Sequence, residues 1–138
     1  MATTTAAITL SSTDIMDSAI SISNTATLTT AGTDTGITET TGLARLKTSS
    51  GSNTILLDHG LTSGVAADVT ADKSAKVFIR NCNSRGDGTK YVNILIVARE
   101  IGRLYGGDWM WFPWDVDDDI CITPSVATDM TVEFQVFS

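Results

Sequence analysis

The sequence predicts an all-β fold: a single-domain, jelly-roll-like β-sandwich of about eight or nine strands, preceded by an extended N-terminal arm. Three observations carry that expectation. Short segments that alternate apolar and polar residues recur at intervals of roughly ten residues, the spacing of strands and turns in a sandwich. Threonine and serine crowd the chain while proline is held to 2 residues, and threonine fits a pleated surface with one wet face. No stretch repeats its apolar residues at helical spacing. At 138 residues the chain has the length of one domain. A chain that long buries roughly two-thirds of its unfolded surface, so it folds without a metal or a disulfide.

Residues 1–18 form the expected arm and 19–138 the sandwich. The arm is polar and offers only Ile8, Leu10, Ile15 and Met16 for burial. It reads either as a frayed terminus or as a strap along a neighbouring subunit. Residues 19–30 alternate, with Ile20, Ile22, Ala26 and Leu28 inward and serines and threonines outward. A Gly/Thr loop follows over 31–42. Two short strands, 43–47 and 54–58, flank a turn at 49–53, and a second loop over 58–72 is punctuated by Gly60 and Gly64. In the strand over 74–82, Ala75, Val77 and Ile79 face inward. Phe78 faces outward, which is unusual for a lone monomer. Asp87-Gly88 is a hairpin signal.

The rest of the chain is organised around residues 90–114, which hold all 3 tryptophans and both tyrosines. Residues 91–98 are apolar on both faces of a period-two pattern, so both faces should be covered. Gly106-Gly107 reads as the hairpin turn between 99–105 and 109–114. In the last of these, Trp109 and Trp111 point one way and Met110, Phe112 and Trp114 the other. Pro113 confines the strand to an edge. An acidic loop over 115–119 leads to a short strand, 120–123, and the alternating strand 130–137 ends the chain with Val132, Phe134 and Val136 inside.

Charge and motifs narrow the function. A net charge of −7 argues against binding a nucleic-acid backbone, which calls for clustered Lys and Arg. It fits solubility or docking on a basic surface. The first 44 residues carry no Lys or Arg. No segment reads as a signal peptide or a membrane span, so the expected location is soluble, beginning in a cytoplasm. The single histidine, His59 beside Asp58, has no G-x-S-x-G partner motif and reads as a loop residue. Asp115, Asp117, Asp118 and Asp119 offer oxygens for Ca²⁺. However, Ile120 and Val126 break the EF-hand pattern, and the solvated-loop reading is preferred. Arg85-Gly86-Asp87 reads as a β-turn before it reads as an integrin-binding tripeptide. Cys82 and Cys121 lack metal spacing and read as buried free thiols. No catalytic residue, cofactor or metal site is expected. The aromatic segment reads as a core layer plus an interface, with a sugar-stacking platform as the competing use. Candidate contact residues are Phe78, Trp109, Met110, Trp111, Phe112 and Trp114.

From residue 74 onward the chain runs KVFIRN, a DG-type hairpin, KYVNILI, IGRLYGGDWMWFPW, DDICITP and a terminal TVEFQVF. This order of features resembles small all-β structural proteins of tailed bacteriophages, above all head decoration (cement) proteins. The resemblance covers a little under half of the chain and carries no functional residue over. It implies a non-enzymatic virion protein: a homotrimer on the capsid surface that clamps neighbouring major capsid proteins, assembled in the host cytoplasm, with no nucleic-acid or membrane partner. A tail-tube, adaptor or fibre-associated subunit is the second expectation, and a carbohydrate-binding module the third.

Overall fold

The computed structural model describes residues 4–15, 19–29, 37, 40–48, 51–59, 75–86 and 88–138. All regular structure among them is β, in ten strands. The chain divides into two compact units, Met1–Thr38 and Glu39–Ser138.

The first unit contains β1 (Thr4–Ser12) and β2 (Ile20–Leu28), an antiparallel pair in unbroken register from Thr4↔Leu28 to Ser12↔Ile20. This moves the boundary expected between 18 and 19. Ile20–Leu28 of the alternating segment pairs with Thr4–Ser12 of the supposed arm. The Ser12 hydroxyl begins the connecting turn by accepting the Ile15 N–H at 3.2 Å.

The second unit holds β3 (Ala44–Thr48), β4 (Thr54–Leu57), β5 (Ala75–Asn81), β6 (Tyr91–Ile96), β7 (Arg99–Tyr105), β8 (Trp109–Trp114), β9 (Ile120–Pro124) and β10 (Met130–Phe137). Two four-stranded antiparallel sheets form, in the orders β3-β10-β5-β8 and β4-β9-β6-β7. Only β6 and β7 are neighbours both in the chain and in a sheet; every other connection crosses between sheets. That winding is a jelly roll, the double-sheet arrangement of two Greek keys. The inner faces meet in one core. Val77, Ile79, Val132, Phe134 and Val136 from the first sheet pack with Leu56, Val92, Ile94, Ile120 and Ile122 from the second, all at most 1% exposed.

Two turns differ from expectation. Gly106-Gly107 does not close a hairpin: β7 pairs with β6, whereas β8 pairs with β5 in the other sheet. The glycines serve a close approach instead. A Cβ on Gly106 would stand 2.2 Å from the Ser84 carbonyl oxygen, and Gly107 has φ +83°. Asn81, fully buried at the end of β5, fastens this corner. Its side-chain amide donates to the Leu104 carbonyl at 2.9 Å, and its own carbonyl accepts the Gly107 N–H at 2.9 Å. The hairpin turn lies earlier, at Val97-Ala98 within the segment expected to be one strand over 91–98. Both residues have positive φ, 51° and 58°, the geometry of a type I′ turn that Asn and Gly normally adopt. Asp87 of the expected Asp87-Gly88 hairpin lies outside the described residues, and the strands it would join, β5 and β6, belong to different sheets. The loop positions 30–36 and 60–74 also lie outside them.

Candidate functional site

The edge strand β8 is read against β5. Its register pairs Arg80 with Trp109, Phe78 with Trp111 and Val77 with Phe112. Directly opposed residues share a face, so Phe78, Arg80, Trp109 and Trp111 stand on the outer face of the sheet. Met110 and Phe112 pack against the core from the inner face, and Trp114 is 2% exposed there. The Trp114 indole N–H donates to the Asp118 carbonyl at 2.8 Å, which satisfies its one polar atom. Trp114 is therefore removed from the candidate contact residues, and Met110 and Phe112 contribute packing rather than surface. The strand's side-chain alternation is the physical reason.

The outer face carries two ring pairs. Phe78 and Trp109 lie 6.4 Å apart at 34°; Trp111 and Phe137 lie 5.2 Å apart at 58°. Trp109 is 52% exposed. Phe137 was not singled out from the sequence. The signal was present, since the alternation that sends Val132, Phe134 and Val136 inward sends Phe137 outward.

The same face concentrates positive charge on an acidic chain. The registers of β3, β10 and β5 put Arg45, Lys47, Lys76 and Arg80 on it, with Glu133 as the one carboxylate from these strands. Glu133 lies beneath two of these cations. Arg45 approaches it at 2.5 Å and Arg80 at 3.9 Å. The Arg45 hydrogen bond, then that from Cys82, holds the Glu133 carboxyl below its usual range. Lys47 pairs with Asp129 at 2.5 Å, so what reaches solvent is aromatic with a partly neutralised excess of positive charge. The opposite sheet differs: its outer face carries a tyrosine pair, Tyr91 and Tyr105 at 5.4 Å, with Arg103 stacked 4.9 Å over Tyr91.

The other sequence candidates fall elsewhere. Cys82 and Cys121 are both free and half-buried. Burial pushes each thiol up, away from the thiolate that nucleophilic chemistry uses. Arg85 pairs with Asp108 at 3.5 Å and folds over Gly107, so it belongs to the corner turn. The acidic loop is anchored rather than free. Val116 is 1% exposed at φ 68°, plugged into the core between Asp115 and Asp117. Among the described residues the one metal-capable group of three is Asp58, His59 and Asp119, whose donor atoms lie within 4.8 Å of one another. The pairing of Leu57 with Ile120 brings these residues together. His59 Nδ1 lies 2.6 Å from the Asp119 carboxylate, and the His59 backbone N–H donates to the same oxygen at 3.0 Å. That hydrogen bond raises the imidazole pKa. These contacts make His59 an ion-pair partner rather than an idle loop residue.

Neither a protein-family model nor a curated protein matches the chain.

Proposed function

We propose that the chain is a non-enzymatic virion protein. It acts as a decoration (cement) protein on the head of a tailed bacteriophage, a homotrimer that bridges neighbouring major capsid proteins. One observation carries the reading. A sheet whose inner face already closes a complete core holds Phe78, Trp109, Trp111 and Phe137 outward among cations. Trp, Tyr, Phe and Arg are the residues enriched in the desolvated centres of interfaces, and Lys is not. The aromatic residues supply apolar area, while Arg80 and Arg45 select an acidic partner surface. The jelly roll is a rigid base for such a surface, because β8 is paired along its whole length and its inner side chains are locked in the core.

The test is co-sedimentation with shells of the major capsid protein of the virus whose genome encodes the chain. Trp109→Ala and Trp111→Ala are each expected to weaken binding by about 2 kcal/mol, roughly thirtyfold, with the fold retained. Unchanged binding in both variants removes the assignment. A hexameric ring in solution moves the reading to the tail.

A second reading has one observation in its favour. Phe78, Arg80, Gly107 and Trp109 line a shallow hollow, and an exposed Trp beside an Arg suits a sugar ring. The 34° tilt between the Phe78 and Trp109 rings makes this a poorer stacking platform than coplanar rings. Glycan binding that is abolished by Trp109→Ala, with no capsid binding, would replace the first reading.

A further inference from the structure

Asp58 and His59 follow β4, and Asp119 precedes β9. Sixty residues separate His59 from Asp119, so their meeting is a product of the β4–β9 register and not of a run of acids. The donor atoms of all three side chains lie within 4.8 Å of one another. Asp58 is 2% exposed, so one of the converging carboxylates is withdrawn from water. A buried charge is stable only when it is paired or coordinates a metal. The side chains of His59 and Asp119 are 48% and 31% exposed, so the group opens to solvent on one side.

We propose that Asp58, His59 and Asp119 form a binding site for a divalent transition-metal ion of the Zn²⁺ class. The donor set selects that class. One imidazole nitrogen with two carboxylate oxygens suits Zn²⁺, whereas Ca²⁺ and Mg²⁺ take oxygen alone. Bonds of about 2.1 Å place the donors of a four-coordinate ion about 3.3 Å apart. The group brackets that spacing: His59 Nδ1 lies 2.6 Å from the Asp119 carboxylate, and no donor is more than 4.8 Å from another. The short contact is a hydrogen bond. The ion takes the place of the shared proton, which leaves to solvent, and His59 binds as neutral imidazole. The dication then meets the two negative charges of Asp58 and Asp119. Asp118 also bears electrostatically on His59 and adds negative potential at the site. Three protein ligands leave a fourth position for water on the open side. The sandwich core is complete without the ion; the ion pins the end of β4 to the start of β9.

The experiment is a calorimetric titration of Zn²⁺ alone into the chelator-dialysed full chain, with thermal unfolding alongside. One ion per chain is expected to bind, and Tm is expected to rise by several degrees at saturation. His59→Ala and Asp119→Asn should each weaken binding about tenfold or more, since even the loss of a ligand's outer partner costs that much. Two further variants should bind as the wild type does. Asp115→Asn changes the acidic loop outside the donor group, and Cys82→Ser/Cys121→Ser removes the thiols that compete for Zn²⁺. All the tryptophans lie in β8, so their fluorescence shows that the sandwich of each variant stays folded. Co²⁺ should give the visible absorption of a four-coordinate ion in the wild type, and His59→Ala should abolish it. A wild type that takes up no Zn²⁺ overturns the proposal. So does binding that survives in both His59→Ala and Asp119→Asn, or binding that is lost in Cys82→Ser/Cys121→Ser. Binding of Ca²⁺ but not Zn²⁺, abolished by Asp115→Asn, would overturn it in favour of the acidic loop.

Discussion

β10 and β2 obey the same rule and meet opposite fates. Each alternates apolar and polar residues along its length. In β10, Val132, Phe134 and Val136 are 0–1% exposed. In β2, Ile22 is 54% exposed, and only Leu28 at the strand's end is buried, at 6%. The difference is not in the strand but in what faces it. β10 lies at the centre of a sheet opposed by a second sheet; β2 has one partner strand in its unit. Alternation thus tells which side chains seek cover, while the number of strands around them decides whether the protomer supplies it.

Two substitutions sharpen this contrast. Phe134→Ala removes a fully buried ring and should cost the sandwich about 3–5 kcal/mol by urea midpoint. Ile22→Ala should shift the same tryptophan-detected midpoint by less than about 0.5 kcal/mol. Equal effects would mean that the two strands share one core. The next effect is smaller and of opposite sign. Val97 and Ala98 hold left-handed backbone in an exposed turn, at about 1–2 kcal/mol per non-glycine residue. Val97→Asn combined with Ala98→Gly should raise sandwich stability by about 1 kcal/mol in thermal unfolding. A loss would mean that the turn is held by contacts beyond its backbone. The smallest effect concerns the histidine. Its raised pKa means the Asp119 pairing stabilises fully below the unfolded value of about 6.5 and is lost as pH rises through the folded value. Proton NMR should place the His59 midpoint above 6.5 and return it toward that value in Asp119→Asn.

Much of the sandwich was legible in the sequence because strand and face both follow from a period of two. The outward placement of Phe78, Trp109 and Trp111 came from that period alone. Sheet membership did not. Gly106-Gly107 carries the composition of a hairpin, yet its glycines answer to the Ser84 backbone passing within 2.2 Å of a would-be Cβ, a long-range fact. Val97-Ala98 carries no turn composition at all; the pairing of β6 and β7 imposes the bend on residues that resist it. The Asp58–His59–Asp119 group was equally invisible, because sixty residues separate its members and only the β4–β9 register joins them. The interface candidates divided by the same logic. Trp114 and Trp111 are alike in composition, and position along one strand puts the first in the core and the second on the surface.

The central claim is that the sandwich is self-sufficient and the hairpin is not. Amide hydrogen exchange tests it directly. Amides of β5 and β10 should be strongly protected, whereas those of Thr4–Ser12 and Ile20–Leu28 should exchange far faster. Hairpin protection that matches β10 would contradict the account.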